Sequence, residues 1–215
     1  CGACLAELRT KKVAQACPMC RAELPPGLDG LFDLAYRTLR RIWGMVERGE
    51  LTWTSLPAAE QEEMDEAVAM LTEAAAQGHM EAQGRLADIY SFGEGVVIDE
   101  ERALELYRQA ALQGSAHGQC NIGVTLNERK DIDGAEAAYR AAIAADPGYA
   151  TSHDNLGVLL ATERKDIDGA EAAYCAAIAV NPGHTDAHNN LGTLLELKRK
   201  DMDGAEAAYR AAIAA

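Results

Sequence analysis

Residues 130–145 read KDIDGAEAAYRAAIAA. The string returns at 165–180 as KDIDGAEAAYCAAIAV and at 200–215 as KDMDGAEAAYRAAIAA, each start 35 residues after the last. A period of that length signals stacked supersecondary units. One such unit cannot bury its own apolar face, so the array, not the repeat, is the folding domain. Only 5% of the residues are aromatic while 48% are hydrophobic. Alanine therefore carries much of the interior, which favours helices that approach closely.

Between the near-identical strings lie more variable segments, each with an apolar–Gly pair: Ile122–Gly123, Leu156–Gly157 and Leu191–Gly192. With Ala135, Tyr139, Ala142 and Pro147, then Ala170, Tyr174, Ala177 and Pro182, then Ala205, Tyr209 and Ala212, these positions resemble tetratricopeptide repeats. The resemblance implies pairs of antiparallel helices, A and B. Gly157 and Gly192 would let helix B close on helix A, and the tyrosines would plug the space between hairpins. Pro147 and Pro182 end helix B. Asp133, Asp168 and Asp203 are expected to cap it. The pair advances by 34 residues and then by 35, so an extra residue is expected near 161–164.

Upstream, Ala67, Leu71, Ala74, Ala75 and Gly78 recur 36 residues later as Ala103, Tyr107, Ala110, Ala111 and Gly114. With Ala82, Leu86, Tyr90, Gly93 and Gly95 this stretch resembles the Sel-like repeat, a longer-looped cousin of the tetratricopeptide repeat. The glycines permit positive φ in the loop, and Asp99 is placed to cap the next helix. Residues 31–47 show helical apolar spacing with Arg37, Arg40 and Arg41 among them. Ser55 is placed to cap the helix after that, with Pro57 in its first turn.

Four of the six cysteines form two CxxC pairs, Cys1 with Cys4 and Cys17 with Cys20, twelve residues apart. Paired thiolates at that spacing suit Zn²⁺ and a reducing compartment, the cytoplasm or nucleus. All four could close one ribbon-like site, or each pair could serve a different zinc. CGAC, a short helical stretch and CPMCR resemble the C-terminal half of a RING finger. That resemblance implies a cross-braced arrangement and, in the full-length protein, a ubiquitin ligase. Leu8, Pro18 and Arg21 then fall where the family contacts a ubiquitin-conjugating enzyme. The family's first four ligands have no counterpart here, so the chain itself is not expected to be catalytic. A MYND-type finger would need a closing His and Cys that are not found at its spacing.

The expected architecture is all-α, a right-handed α-solenoid of helix-turn-helix repeats with a small, incomplete zinc-finger module at its start. The expected divisions are 1–27 (zinc module), 28–66 (helical linker), 67–114 (Sel-like) and 115–215 (three tetratricopeptide repeats). The net charge of −14 argues against nucleic acid, which needs clustered Lys and Arg. No apolar run of about 18 residues suggests a membrane span. No catalytic constellation is seen. His153 and His188, one per repeat, read as packing residues, and Cys175 as a solvent-facing thiol.

In these families helix A lines an inner groove. Asn121, Asn155 and Asn190 precede the apolar–Gly pair, one per repeat. An amide both donates and accepts, so such a ladder can grip an extended protein segment. A similar ladder occurs in the repeat arm of O-GlcNAc-type glycosyltransferases. The other reading is that these amides tie neighbouring helices. Asp154, Asp186 and Glu196 make the groove acidic, which favours a basic or neutral peptide. Three functions stay open: an adaptor whose zinc end recruits a ubiquitin-conjugating enzyme, a scaffold with a structural zinc site, and the recruiting arm of a glycosyltransferase.

Overall fold

The computed structural model describes residues 27–214. Cys1, Cys4, Leu8, Cys17, Pro18, Cys20 and Arg21 lie outside the described residues. Those described form ten α-helices and no strand. They fall into two compact units, with the boundary between Ala103 and Leu104.

The first unit opens with α1 (Leu28–Glu47), α2 (Ala58–Ala76) and α3 (Met80–Phe92). Helix α2 packs against both α1 and α3. The spacing of Ala35, Leu39 and Ile42 buries one face of α1. Met64, Ala67, Leu71 and Ala74 do the same for α2. Gly78 stops α2 in the left-handed region at φ +86°. The amide of His79 then reaches back to the Ala74 carbonyl at 3.1 Å, which satisfies an orphaned helix-end acceptor. Ser55 does not cap α2. Pro57 holds the N-cap position with no side-chain bond, because the helix starts at Ala58, too far on for Ser55 to reach. Arg41 pairs with Glu63 of α2, so one of the arginines on α1 meets its acidic partner within the chain. Asp99 caps α4 (Glu100–Leu112), accepting from the Arg102 amide at 3.0 Å.

The second unit holds three hairpins. They are α5 (Ala116–Glu128) with α6 (Ile132–Ala145), α7 (Ala150–Leu159) with α8 (Ile167–Val180), and α9 (Thr185–Leu194) with α10 (Met202–Ala214). Each hairpin also packs on the next, and α5, α7 and α9 adjoin one another. One apolar cluster runs through the hairpins, including Tyr139, Leu156, Leu159, Tyr174 and Leu194.

The glycines explain the close crossing. A Cβ on Gly123, Gly157 or Gly192 would lie 2.6 Å from the Cε1 of Tyr139, Tyr174 or Tyr209. Each tyrosine ring thus packs directly on the glycine of its own hairpin rather than only filling the gap between hairpins. Asp146 and Asn181, each before a proline, leave the helix for extended backbone, as the ring of the following proline requires.

The helix-B caps differ from expectation by two residues. Asp131, Asp166 and Asp201 accept from the amides of Gly134, Gly169 and Gly204 at 3.0 Å. The N-cap oxygen must precede the first helical residue, and helix B begins at Ile132, Ile167 and Met202. Asp133 and Asp168, in the first turn, instead bind an arginine of the following repeat. Arg164 pairs with Asp133 and Glu136, and Arg199 with Asp168 and Glu171.

The extra residue of repeats two and three falls where the spacing places it. Helices α7 and α9 each end in a π-helical turn, Leu160–Arg164 and Leu195–Arg199. Repeat one has no such turn after α5. There the Asp131 amide returns to the Leu126 carbonyl, whereas those of Asp166 and Asp201 return to Leu160 and Leu195, one residue further back. A single-residue insertion in a helix is absorbed as a π bulge. The bulge also delivers Arg164 and Arg199 to the preceding helix B.

Candidate interaction face on helix A

Helices α5, α7 and α9 turn their glycines toward the tyrosines of α6, α8 and α10. At 100° per residue, the opposite side of α7 carries Thr151, Asn155, Val158 and Thr162. The equivalent stripe on α9 is Asp186, Asn190, Thr193 and Leu197, and on α5 it is His117, Asn121 and Val124. Thr151, Thr162, Asp186, Thr193 and Leu197 are exposed, and the three asparagines are half-buried. The stripe is polar, mostly uncharged, and dotted with aliphatic groups.

The asparagines occupy equivalent places. The Asn121 amide nitrogen donates to the His117 carbonyl of its own helix at 3.1 Å. That of Asn155 donates to the Cys120 sulfur at 3.3 Å, and that of Asn190 to the Asp154 carboxylate at 3.0 Å. Two of the three therefore tie successive A helices together. A carboxamide has two N–H groups and a carbonyl oxygen, so a single donation leaves capacity for a ligand. The tie also fixes the amide plane, which lowers the entropy cost of a further contact.

Asp154, expected to make the groove acidic, is not exposed along it. It is a buried carboxylate at the seam between repeats two and three. Burial pushes its carboxyl above the usual range, while the Asn190 bond and the charge of His184 oppose that shift and Asp186 adds to it. Glu196, also expected in the groove, accepts from the Tyr209 hydroxyl at 3.0 Å. Burial raises the Tyr174 hydroxyl to about 12, with the Asp154 charge adding to it. These groups are arranged for packing and hydrogen bonding, not proton transfer.

His153 and His188 point their Nε2 at the Pro147 and Pro182 carbonyls, at 3.2 and 2.9 Å. They fasten the turn between repeats, in keeping with a packing role. Cys175 is exposed, and burial and Glu171 both raise its thiol, the opposite of nucleophile activation. Among the described residues no group of three or more His, Cys, Asp or Glu side chains converges to hold a metal ion. No described helix is long and apolar enough to cross a membrane.

Stacked hairpins with one helix of each pair aligned along a polar stripe define a helical-repeat protein of the kind that serves as an interaction scaffold. A family profile described as "Tetratricopeptide repeat" matches residues 101–150 and 156–215, just over half of the chain. The chain belongs to the tetratricopeptide repeat family. Among solved structures it is similar to c5321, a protective antigen of uropathogenic Escherichia coli with an SLR fold. The two are 26% identical with a TM-score of 0.65, over 86% of this chain and 38% of the other. It is also similar to a Sel1 repeat protein from Oxalobacter formigenes, at 20% identity and TM-score 0.64, over 87% and 73% of the two chains. A third similar structure is YrrB, described as a TPR protein with an unusual peptide-binding site. That match is 19% identical with TM-score 0.50, over 73% and 79%.

Proposed function

We propose that the chain is a non-catalytic scaffold that holds an extended protein segment along the helix-A stripe, with Asn155 and Asn190 as the gripping pair and Asn121 at its edge. The observation that carries this reading is the pair of amides at repeat spacing, oriented by their bonds to Cys120 and Asp154. The neutral, mildly acidic stripe suits a neutral or basic segment. YrrB, with its unusual peptide-binding site, lends support by analogy of fold. The test is photo-crosslinking in cell extract. A photoreactive residue at Thr151 or Val158 should capture protein, one at the exposed Cys175 of helix α8 should not, and Asn155→Ala with Asn190→Ala should reduce the yield severalfold. Equal capture from both positions would overturn the assignment.

We further propose that the cysteine end binds Zn²⁺ through Cys1, Cys4, Cys17 and Cys20. The support is the donor chemistry: four soft thiolates in two CxxC turns. By the RING resemblance, Leu8, Pro18 and Arg21 would contact a ubiquitin-conjugating enzyme in a protein with a complete finger. Zinc content of the chain tests the metal, compared with a variant in which all four cysteines are serine. Zinc lost in the variant supports the site, and no zinc in either removes it along with the ligase reading.

A further inference from the structure

Helix α3 starts on a histidine. Gly78 turns the chain at φ +86°. His79 then takes the N-cap position, its Nδ1 accepting from the Ala82 amide at 3.1 Å. A backbone amide can only donate, so this ring nitrogen carries a lone pair and the imidazole that caps α3 is the neutral one. A serine cap, such as Ser115 on α5, keeps its acceptor at every pH. A histidine cap loses it once the ring takes up a proton, and two donors then face each other across the same gap. The positive end of the helix sharpens that conflict.

The new N–H has other acceptors within reach. Glu81, in the first turn of α3, has its Oε2 3.5 Å from the same Nδ1. Asp29, in the first turn of α1, has its Oδ1 3.5 Å from Nε2. The ring itself is held in place. Its side chain is 11% exposed and stacks on Phe32 of α1 at a centroid distance of 5.0 Å, and an aromatic face attracts a cation. The turns around it, residues 28–34 of α1, 73–76 of α2 and 80–83 of α3, carry Asp29, Asp33, Glu73 and Glu81 and no lysine or arginine. Of these, Glu73 accepts from the Gln77 side-chain amide. We propose that His79 is a pH-operated switch between two roles. Neutral, it caps α3 through Ala82; protonated, it releases that amide and joins the first turns of α1 and α3 through Asp29 and Glu81. The switch works between about pH 5 and 8, where an imidazole changes charge. It lies wholly within the first unit and does not depend on the helix-A stripe.

The test follows the isotope-labelled full chain by nuclear magnetic resonance from about pH 8 to about pH 5. As the His79 ring protonates, hydrogen exchange at the Ala82 amide, corrected for its intrinsic pH dependence, should quicken about fivefold, the usual worth of an N-cap bond. His79→Asn keeps an acceptor oxygen at every pH, so it should abolish that step and leave Ala82 protected throughout. Asp29→Asn with Glu81→Gln removes the charges that favour the proton, so the same step should move to lower pH. A ring that stays neutral over the whole range, or one that protonates while Ala82 protection holds, would overturn the switch. A step that survives His79→Asn would place the titrating group elsewhere and overturn it too. A midpoint unmoved by the double variant would overturn the roles given to Asp29 and Glu81.

Discussion

Gly157→Ala sets two well-known effects against each other. Alanine is the better helix former by about 1 kcal/mol, so helix propensity alone predicts a gain. The crossing predicts a loss. The new Cβ would lie 2.6 and 2.7 Å from Cε1 and Cδ1 of Tyr174, well inside van der Waals contact. Tyr174 is nearly fully buried and belongs to the cluster that runs between hairpins, so it cannot step aside without moving Leu156 and its neighbours. Overpacking of that kind costs about 3 kcal/mol at its upper range, which leaves a net loss of about 2 kcal/mol. Urea melts followed by circular dichroism measure it directly. A second arm isolates the cause: in a Tyr174→Leu background most of the clash of about 3 kcal/mol should vanish, a coupling readable from the double-mutant cycle. If Gly157→Ala is neutral or stabilising, the tyrosine-on-glycine contact does not set the distance between helices A and B.

Three further outcomes follow from the repeat seams. Arg164→Ala should lower the urea midpoint only slightly, since its partners Asp133 and Glu136 are surface groups, and the loss should fade in about 1 M salt; a loss unaffected by salt would assign the arginine a packing role. Deleting Ala161 converts the π turn of α7 to the form repeat one already uses, so the variant should unfold cooperatively within about 1 kcal/mol of the parent, and loss of cooperative unfolding would refute the insertion reading. Asp154→Asn removes a buried charge while keeping an oxygen for Asn190. A carboxyl raised on folding stabilises most below its unfolded pKa and loses that contribution as pH rises through the folded value. The variant should therefore gain about 1 kcal/mol at pH 7, with the gain shrinking toward pH 4; a gain independent of pH would refute the burial argument.

The hairpins were legible because three near-copies at one period leave little else to build, and the Ala, Gly and Tyr positions carry steric meaning. Even the π turns were legible in outline, as one residue too many between Gly157 and Lys165 compared with Gly123 and Lys130. The cap was misplaced because Asp131 and Asp133 both precede the alanine-rich run, and only the φ and ψ of the turn decide which is outside the helix. That turn places Lys130 in the left-handed region at φ 64°, a conformation that local sequence rarely announces for lysine. The Arg164–Glu136 clasp and the Arg85–Glu94 pair join residues 28 and 9 positions apart. Charge patterning within one helix does not reach a partner on another helix or in a loop. The Asn ladder was visible as a pattern, but its partners Cys120 and Asp154 differ from repeat to repeat and required coordinates.

That difference separates stacking from recognition. Helix B is nearly invariant across the three repeats, and it carries the Asp cap, the Ala face and the tyrosine that make one hairpin fit the next. Helix A keeps the asparagine, the glycine and the leucine three residues after it (Leu126, Leu160, Leu195). The residue before the asparagine is Cys120, then Asp154, then Asn189; the stripe position four before it is His117, then Thr151, then Asp186. Variation on helix A therefore reaches both the buried seam, where Cys120 and Asp154 receive the asparagine amides, and the outward stripe, where His117, Thr151 and Asp186 differ. The seam differences change how one repeat is tied to the next, and only those on the stripe would let each repeat of the proposed scaffold read a different part of one ligand.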